Sequence, residues 1–113
     1  MESVEYTING IEMESVEYYG NNSMCAKEIT ISGLYHCEKG PAYQTWFMTG
    51  QRRMNRYYKR GMLHRIDGPA VLSWNHDGNL VYVEYYIYDI KYTKEEWNVK
   101  NRKYKLEKLA KMK

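Results

Sequence analysis

The segment QRRMNRYYKRGMLHR, residues 51–65, holds six Lys or Arg, no acidic residue and two adjacent tyrosines. Guanidinium forks bind phosphate or carboxylate in two-point geometry, and phenol rings stack on planar groups. Arg52, Arg53, Arg56, Tyr57, Tyr58 and Arg60 are therefore the candidate binding residues, for an acidic protein surface or an anion. A plainer role competes with this one, because arginine stems pack along apolar surface and blunt a sheet edge against aggregation. The histidines offer less. Neither His36 nor His64 has a Cys or carboxylate at metal-ligand spacing, so no metal is expected. Cys37 adjoins His36, and in an extended segment adjacent side chains point to opposite faces, which removes a thiol–imidazole pair. No glycine-rich phosphate loop precedes a helix. The sequence thus predicts no catalytic residue, no cofactor and no enzyme.

His36 and His64 are better explained by repetition. At an offset of 28 residues, Gly33 matches Gly61, His36 matches His64, and Gly40, Pro41 and Ala42 match Gly68, Pro69 and Ala70. The same offset aligns Trp46 with Trp74, Gly50 with Gly78, and Tyr57 and Tyr58 with Tyr85 and Tyr86. Each unit runs from an apolar stretch through a glycine turn to a second apolar or Tyr-rich stretch, which is the pattern of a β-hairpin. A fainter column, Tyr6, Ile8 and Gly10 followed by Ile29, Ile31 and Gly33, has a spacing of 23. It lacks the HxxxGPA box, which reads as an insertion between hairpins. The units lie near residues 10–32, 33–60 and 61–89.

Successive hairpins of near-constant length bury their apolar faces only against neighbours. The fold class expected is mainly β: an open antiparallel sheet of tandem hairpins over residues 1–92, within one compact domain. Box residues His36, Gly40, Pro41, Trp46, His64, Arg65, Asp67, Gly68, Pro69 and Trp74 are assigned structural roles, with glycine and proline supplying a turn and a strand start. An Arg65–Asp67 contact is available only in the second box, since Cys37 and Lys39 hold those places in the first. Thr93 followed by Glu96 forms a capping box, so residues 93–113 read as a basic helix from about Lys94 to about Met112. Trp97, Tyr104, Leu106, Leu109 and Ala110 form its apolar stripe, and the helix reads as a cap on the sheet.

Composition sets the remaining bounds. Thirteen Tyr and three Trp against one Phe suit a thin sheet that is wet on one side, since these rings carry polar ends. Residues 1–50 hold two basic and seven acidic side chains, net −5, and residues 51–113 hold fifteen and seven, net +8. The longest apolar run, LVYVEYYIY, is too short for a membrane span and contains Glu84. With an acidic N-terminus and two cysteines lacking CxxC spacing, the chain reads as soluble and intracellular, with reduced thiols.

The 23-residue hairpin closed by YxxxG resembles the MORN repeat family. The longer unit, LHRIDGPA with its Trp and glycine turn, is similar to the HRxDGPA repeat of large double-stranded DNA viruses and tailed phages. The resemblance covers residues 4–90, its specific part residues 33–90, and implies a hairpin sheet and a viral or phage source. The leading functional expectation is a non-enzymatic accessory protein, virion-associated or in the infected cell's cytoplasm. It would present a Tyr/Arg-rich face to a protein partner or to a second copy, a dimer included. The runner-up is a counter-defence binder of nucleic acid or small anionic nucleotides through residues 51–65. A lipid-headgroup reading rests on family analogy and the same basic residues. Pairing through a free first strand near Val4 to Asn9, burying Tyr6 and Ile8, is also expected.

Overall fold

The computed structural model describes residues 11–111. The strands are β1 (Glu12–Tyr18), β2 (Met24–Ile31), β3 (Leu34–Tyr35), β4 (Tyr43–Trp46) and β5 (Arg52–Arg56). They continue as β6 (Tyr58–Lys59), β7 (Met62–Leu63), β8 (Val71–Trp74), β9 (Leu80–Ile87) and β10 (Ile90–Tyr92), followed by helix α1 (Lys94–Lys111). Eight strands form one open antiparallel sheet in the order β1-β2-β4-β5-β8-β9-β10, with β3 added to β2, while β6 and β7 pair separately. Spatial order therefore follows sequence order, as tandem hairpins require. The expected first strand near Val4 to Asn9, with Tyr6 and Ile8, lies outside the described residues.

Two kinds of turn alternate along the chain, and the residue types explain both. The long hairpins β1-β2, β4-β5 and β8-β9 close through five-residue turns, bonded Tyr19 to Ser23, Phe47 to Gln51 and Asn75 to Asn79. Asn22, Gly50 and Gly78 each take a positive φ, of 69°, 92° and 85°, the left-handed residue that ends such a turn. Each turn is flanked by a register shift, at Glu17/Tyr18, Thr45/Trp46 and Ser73/Trp74. The short hairpins between them turn at Ser32-Gly33, Arg60-Gly61 and Tyr88-Asp89, where both residues have positive φ. That is the two-residue geometry whose twist matches the flanking strands.

The molecule measures 50 × 41 × 21 Å, with a radius of gyration of 15.9 Å, against ~13 Å for a compact domain of this length. A thin layer buries little. Its apolar core is Ala26, Ile29, Ala42, Ala70, Val71, Ile87 and Trp97, and small Ala42 and Ala70 are the residues that a box loop folded tightly against the strands can admit.

Helix α1 begins as its residues dictate. The Thr93 amide donates to Glu96 Oε1 at 2.8 Å and the Glu96 amide donates to Thr93 Oγ1 at 3.2 Å, satisfying two amides at the helix start. Its docking face differs from the expected stripe. Trp97 and Asn101 are its buried residues and Tyr104 is half-buried, whereas Leu106 and Leu109 are 63% and 58% exposed. The reason is what the helix lies on: Trp97 Nε1 donates to the Arg65 carbonyl and Asn101 Nδ2 to the Ile66 carbonyl, at 3.1 and 3.0 Å. A backbone loop asks for donors at that line of the helix, not for leucines. No helix among the described residues is long and apolar enough to cross a membrane.

Candidate functional site

Strand alternation sorts the candidate residues onto two faces. Glu28, Tyr43, Arg56, Val71 and Glu84 are successive cross-strand partners and so share one face. Arg56 lies over the Tyr43 ring at 5.8 Å, Tyr35 meets Tyr43 edge-on at 5.8 Å, and Tyr58 lies against Tyr35 at 4.9 Å. All four are half-buried, so each ring keeps open surface. Tyr35 donates to Glu28 Oε2 at 2.7 Å; that bond, followed by burial, pushes its pKa up to about 12. At the far end of the same face, Lys91 lies 2.7 Å from Glu84, and Tyr82 also donates to this carboxylate. The Lys91 bond is the largest cause holding Glu84 below the usual carboxylate range. This tyrosine face is thus amphipathic and held in place by its own hydrogen bonds and ring contacts.

The arginines do not form one stripe. The register shift at Thr45/Trp46 pairs Arg52 with Trp46, one residue on from Thr45 and therefore on the opposite face from Tyr43 and Arg56. There the Arg52 guanidinium lies 4.4 Å from the Trp74 ring centre, while Arg53 lies 5.7 Å from Phe47 near the turn. Arg60 sits in the short turn, with a φ of 51°. Only Arg56 and Tyr58 of the expected binding set join the tyrosine face. Glu28, Tyr35 and Tyr43 complete it and were missed, because Leu63 and Val71 occupy the places of Tyr35 and Tyr43 in the next unit. Repetition gave them no signal.

The box lies across the other face. Tyr85, next to Glu84 in β9, points there and meets Trp97 at 5.0 Å, which puts α1 on this side. His36 Nδ1 accepts the Arg60 amide at 2.9 Å and His64 Nδ1 accepts the Tyr88 amide at 3.0 Å. Each imidazole thus latches the short turn that closes its own unit. The His36 and His64 amides themselves bond to the Ile29 and Tyr57 carbonyls, and the Gly61 and Asp89 amides bond to the Tyr35 and Leu63 carbonyls. Acceptance at Nδ1 leaves the proton on Nε2, and in His36 that nitrogen donates to Glu38 Oε2 at 2.7 Å.

Arg65 does not pair with Asp67. Its Nη1 donates to the Pro69 carbonyl at 3.1 Å and its guanidinium lies 3.9 Å from the Tyr57 ring centre. Asp67 faces Lys105 of α1 at 3.8 Å. Gly68 clears the way: a Cβ there would come within 3.1 Å of the guanidinium carbon. At Gly40 no atom lies within 4 Å of such a Cβ, consistent with Cys37 standing in place of the arginine. Pro41 precedes Ala42 as Pro69 precedes Ala70, at positions where the chain enters β4 and β8 without needing the proline's missing donor. Cys25 and Cys37 are free thiols, both half-buried. Among the described residues no group of three or more His, Cys, Asp or Glu could hold a metal ion.

The latch carries a pH dependence. Burial, then the charge of Lys59, lowers the His64 pKa from 6.5, opposed by Glu38. Between that lowered value and 6.5 the unfolded chain binds the proton and the folded chain does not, so stability falls as pH drops through this window and is fully present above it. Thermal melts from pH 8 to pH 5 should show this loss, and His64→Asn, which keeps an acceptor without a titrating group, should flatten the slope. An unchanged slope in His64→Asn would remove His64 as a source.

No family model, curated protein or solved structure matches the chain.

Proposed function

We propose that this chain is a non-enzymatic interaction module that binds a protein partner through its tyrosine face. One observation carries the reading. Tyr35, Tyr43, Tyr58 and Arg56 form a contiguous, half-exposed cluster, with Tyr43 and Arg56 on the face of the sheet opposite Tyr85 and α1. Tyrosine and arginine are the types that anchor protein interfaces, and rings already fixed by neighbours lose little freedom on binding. Flanking carboxylates and Lys91 supply a polar rim. The resemblance of the box to repeats of large DNA viruses and tailed phages supports an accessory role in an infected cell or a virion. The phosphate reading at the basic strand has less support, since Arg52 and Arg56 lie on opposite faces over different rings.

The test is directional crosslinking. A photoreactive phenylalanine at position 43, in the native setting, should capture a specific protein, while the same group at position 83, on the other face, should not. Arg56→Glu should reduce the position-43 adduct at least tenfold. Equal capture from both positions, or an adduct indifferent to Arg56→Glu, would overturn the proposal.

A further inference from the structure

On the box side, the first box, the short β6-β7 hairpin, the second box and the end of α1 enclose a cleft of about 240 Å³. Lys39, Lys59, Arg65 and Lys108 line it, with Glu38 and Asp67 as the acidic members. Both carboxylates are already engaged, Glu38 by His36 and Asp67 by Lys105. Lys39, Lys59 and Lys108 form no ion pair among the described residues. Arg65 spends one of its five N–H donors on the Pro69 carbonyl and is held against Tyr57, so its remaining donors are fixed in direction. A second cleft of about 330 Å³ adjoins the first, sharing Lys59, His64, Ile66 and Lys108, and adds Lys111 and Glu107. Cations from three separate parts of the chain therefore meet at one concave place. The lowered pKa of His64, caused in part by Lys59, is in keeping with a positive potential there.

We propose that this cleft, which Tyr58 at the margin of the tyrosine face also lines, is a binding site for a small phosphorylated anion of diphosphate type. The volume of the first cleft alone is below the ~300–1,000 Å³ of sites for drug-sized ligands, which favours a compact group there over a peptide or a nucleic-acid strand. The charge favours a polyanion: three ammonium groups without an ion pair among the described residues and a guanidinium fork match an ion carrying two or more negative charges and several acceptor oxygens. The shared chemistry is a phosphate dianion, either free in solution or displayed on a lipid headgroup.

The experiment titrates inorganic diphosphate into isotopically labelled full-length protein and follows backbone amide shifts, alongside sedimentation with vesicles bearing a phosphomonoester headgroup. Expected are shifts confined to the two boxes, the β6-β7 turn and the last turns of α1. The triple variant Lys39→Gln, Lys59→Gln and Lys108→Gln should weaken binding at least tenfold and flatten its dependence on salt. A control triple variant on the same helix but outside the cleft, Lys94→Gln, Lys100→Gln and Lys103→Gln, should change affinity less than threefold. Response in the diphosphate arm identifies a soluble ligand, and response in the vesicle arm alone identifies a headgroup; both uphold the site. No response in either arm, an unaffected cleft variant, or equal weakening by the control overturns it.

Discussion

Trp97→Ala is expected to lower stability by about 3–5 kcal/mol, the range for truncating a buried Trp, and to free the C-terminal helix from the sheet. Trp97 is 8% exposed, and with Asn101 it is all that the eighteen-residue helix buries. Its ring lies against Tyr85 and its indole N–H caps the Arg65 carbonyl, so truncation removes apolar contact and strands a carbonyl together. Besides Trp97, Asn101 bonds the Ile66 carbonyl, Tyr104 meets Tyr88 edge-on at 5.9 Å and Lys105 faces Asp67. Leu106, Leu109 and Val99 face solvent, and an isolated helix of this length is marginal in water despite its capping box. Far-ultraviolet circular dichroism should therefore lose helical signal well before the sheet melts. Asn101→Ala, which deletes only the Ile66 bond, should cost about 1–2 kcal/mol. Retention of helical signal with under about 1 kcal/mol of destabilisation in Trp97→Ala would show that something other than this contact docks the helix.

Much of the fold was legible because turn chemistry repeats. Gly33 and Gly61 recur where the short turns need positive φ, and Gly50 and Gly78 where the long ones do. Asp89, at the 28-residue offset from Gly61, fills the third short turn with a φ of 70°, since Asp tolerates this conformation without advertising it as glycine does. The register shift beside Trp46 had no sequence signal, because a bulge is set by how the turn closes and not by the strand's residue types. That shift alone divides Arg52 from Arg56. The helix stripe held at Trp97 and Tyr104 but not at Leu106, Leu109 and Ala110, for another reason. Periodicity presumes an apolar surface opposite, whereas this helix rests on loop carbonyls and takes Asn101 where a leucine was expected to matter. The cleft was beyond reach altogether, since Lys39, Lys59 and Lys108 meet only when the helix folds back over the boxes.

The histidine latches set how cooperatively the units hold together, and removing both is expected to cost about 3–4 kcal/mol, unequally divided. His36 is buried, its bond to the Arg60 amide is half-buried, and its Nε2 also holds Glu38. His36→Ala should therefore account for about 2–3 kcal/mol, from an amide left without a partner in a place water reaches poorly, and from the space the ring leaves. His64 is more open. Its bond to the Tyr88 amide is exposed, so water replaces the acceptor and His64→Ala should cost about 1 kcal/mol, although its ring also lies 4.1 Å from that of Tyr88. The two latches have separate partners in successive junctions, so the losses should nearly add. Each latch ties a unit's box to the short turn at that unit's far end, where the next segment of the chain begins, and in a linear array such junctions carry the coupling between neighbours. The double variant should accordingly unfold over a broader denaturant range, with a smaller dependence of free energy on urea, than either single variant. Equal costs for His36→Ala and His64→Ala would refute the burial distinction. A double variant that loses stability with an unchanged urea dependence would place the coupling in the backbone ladder instead, leaving the imidazoles as local contacts only.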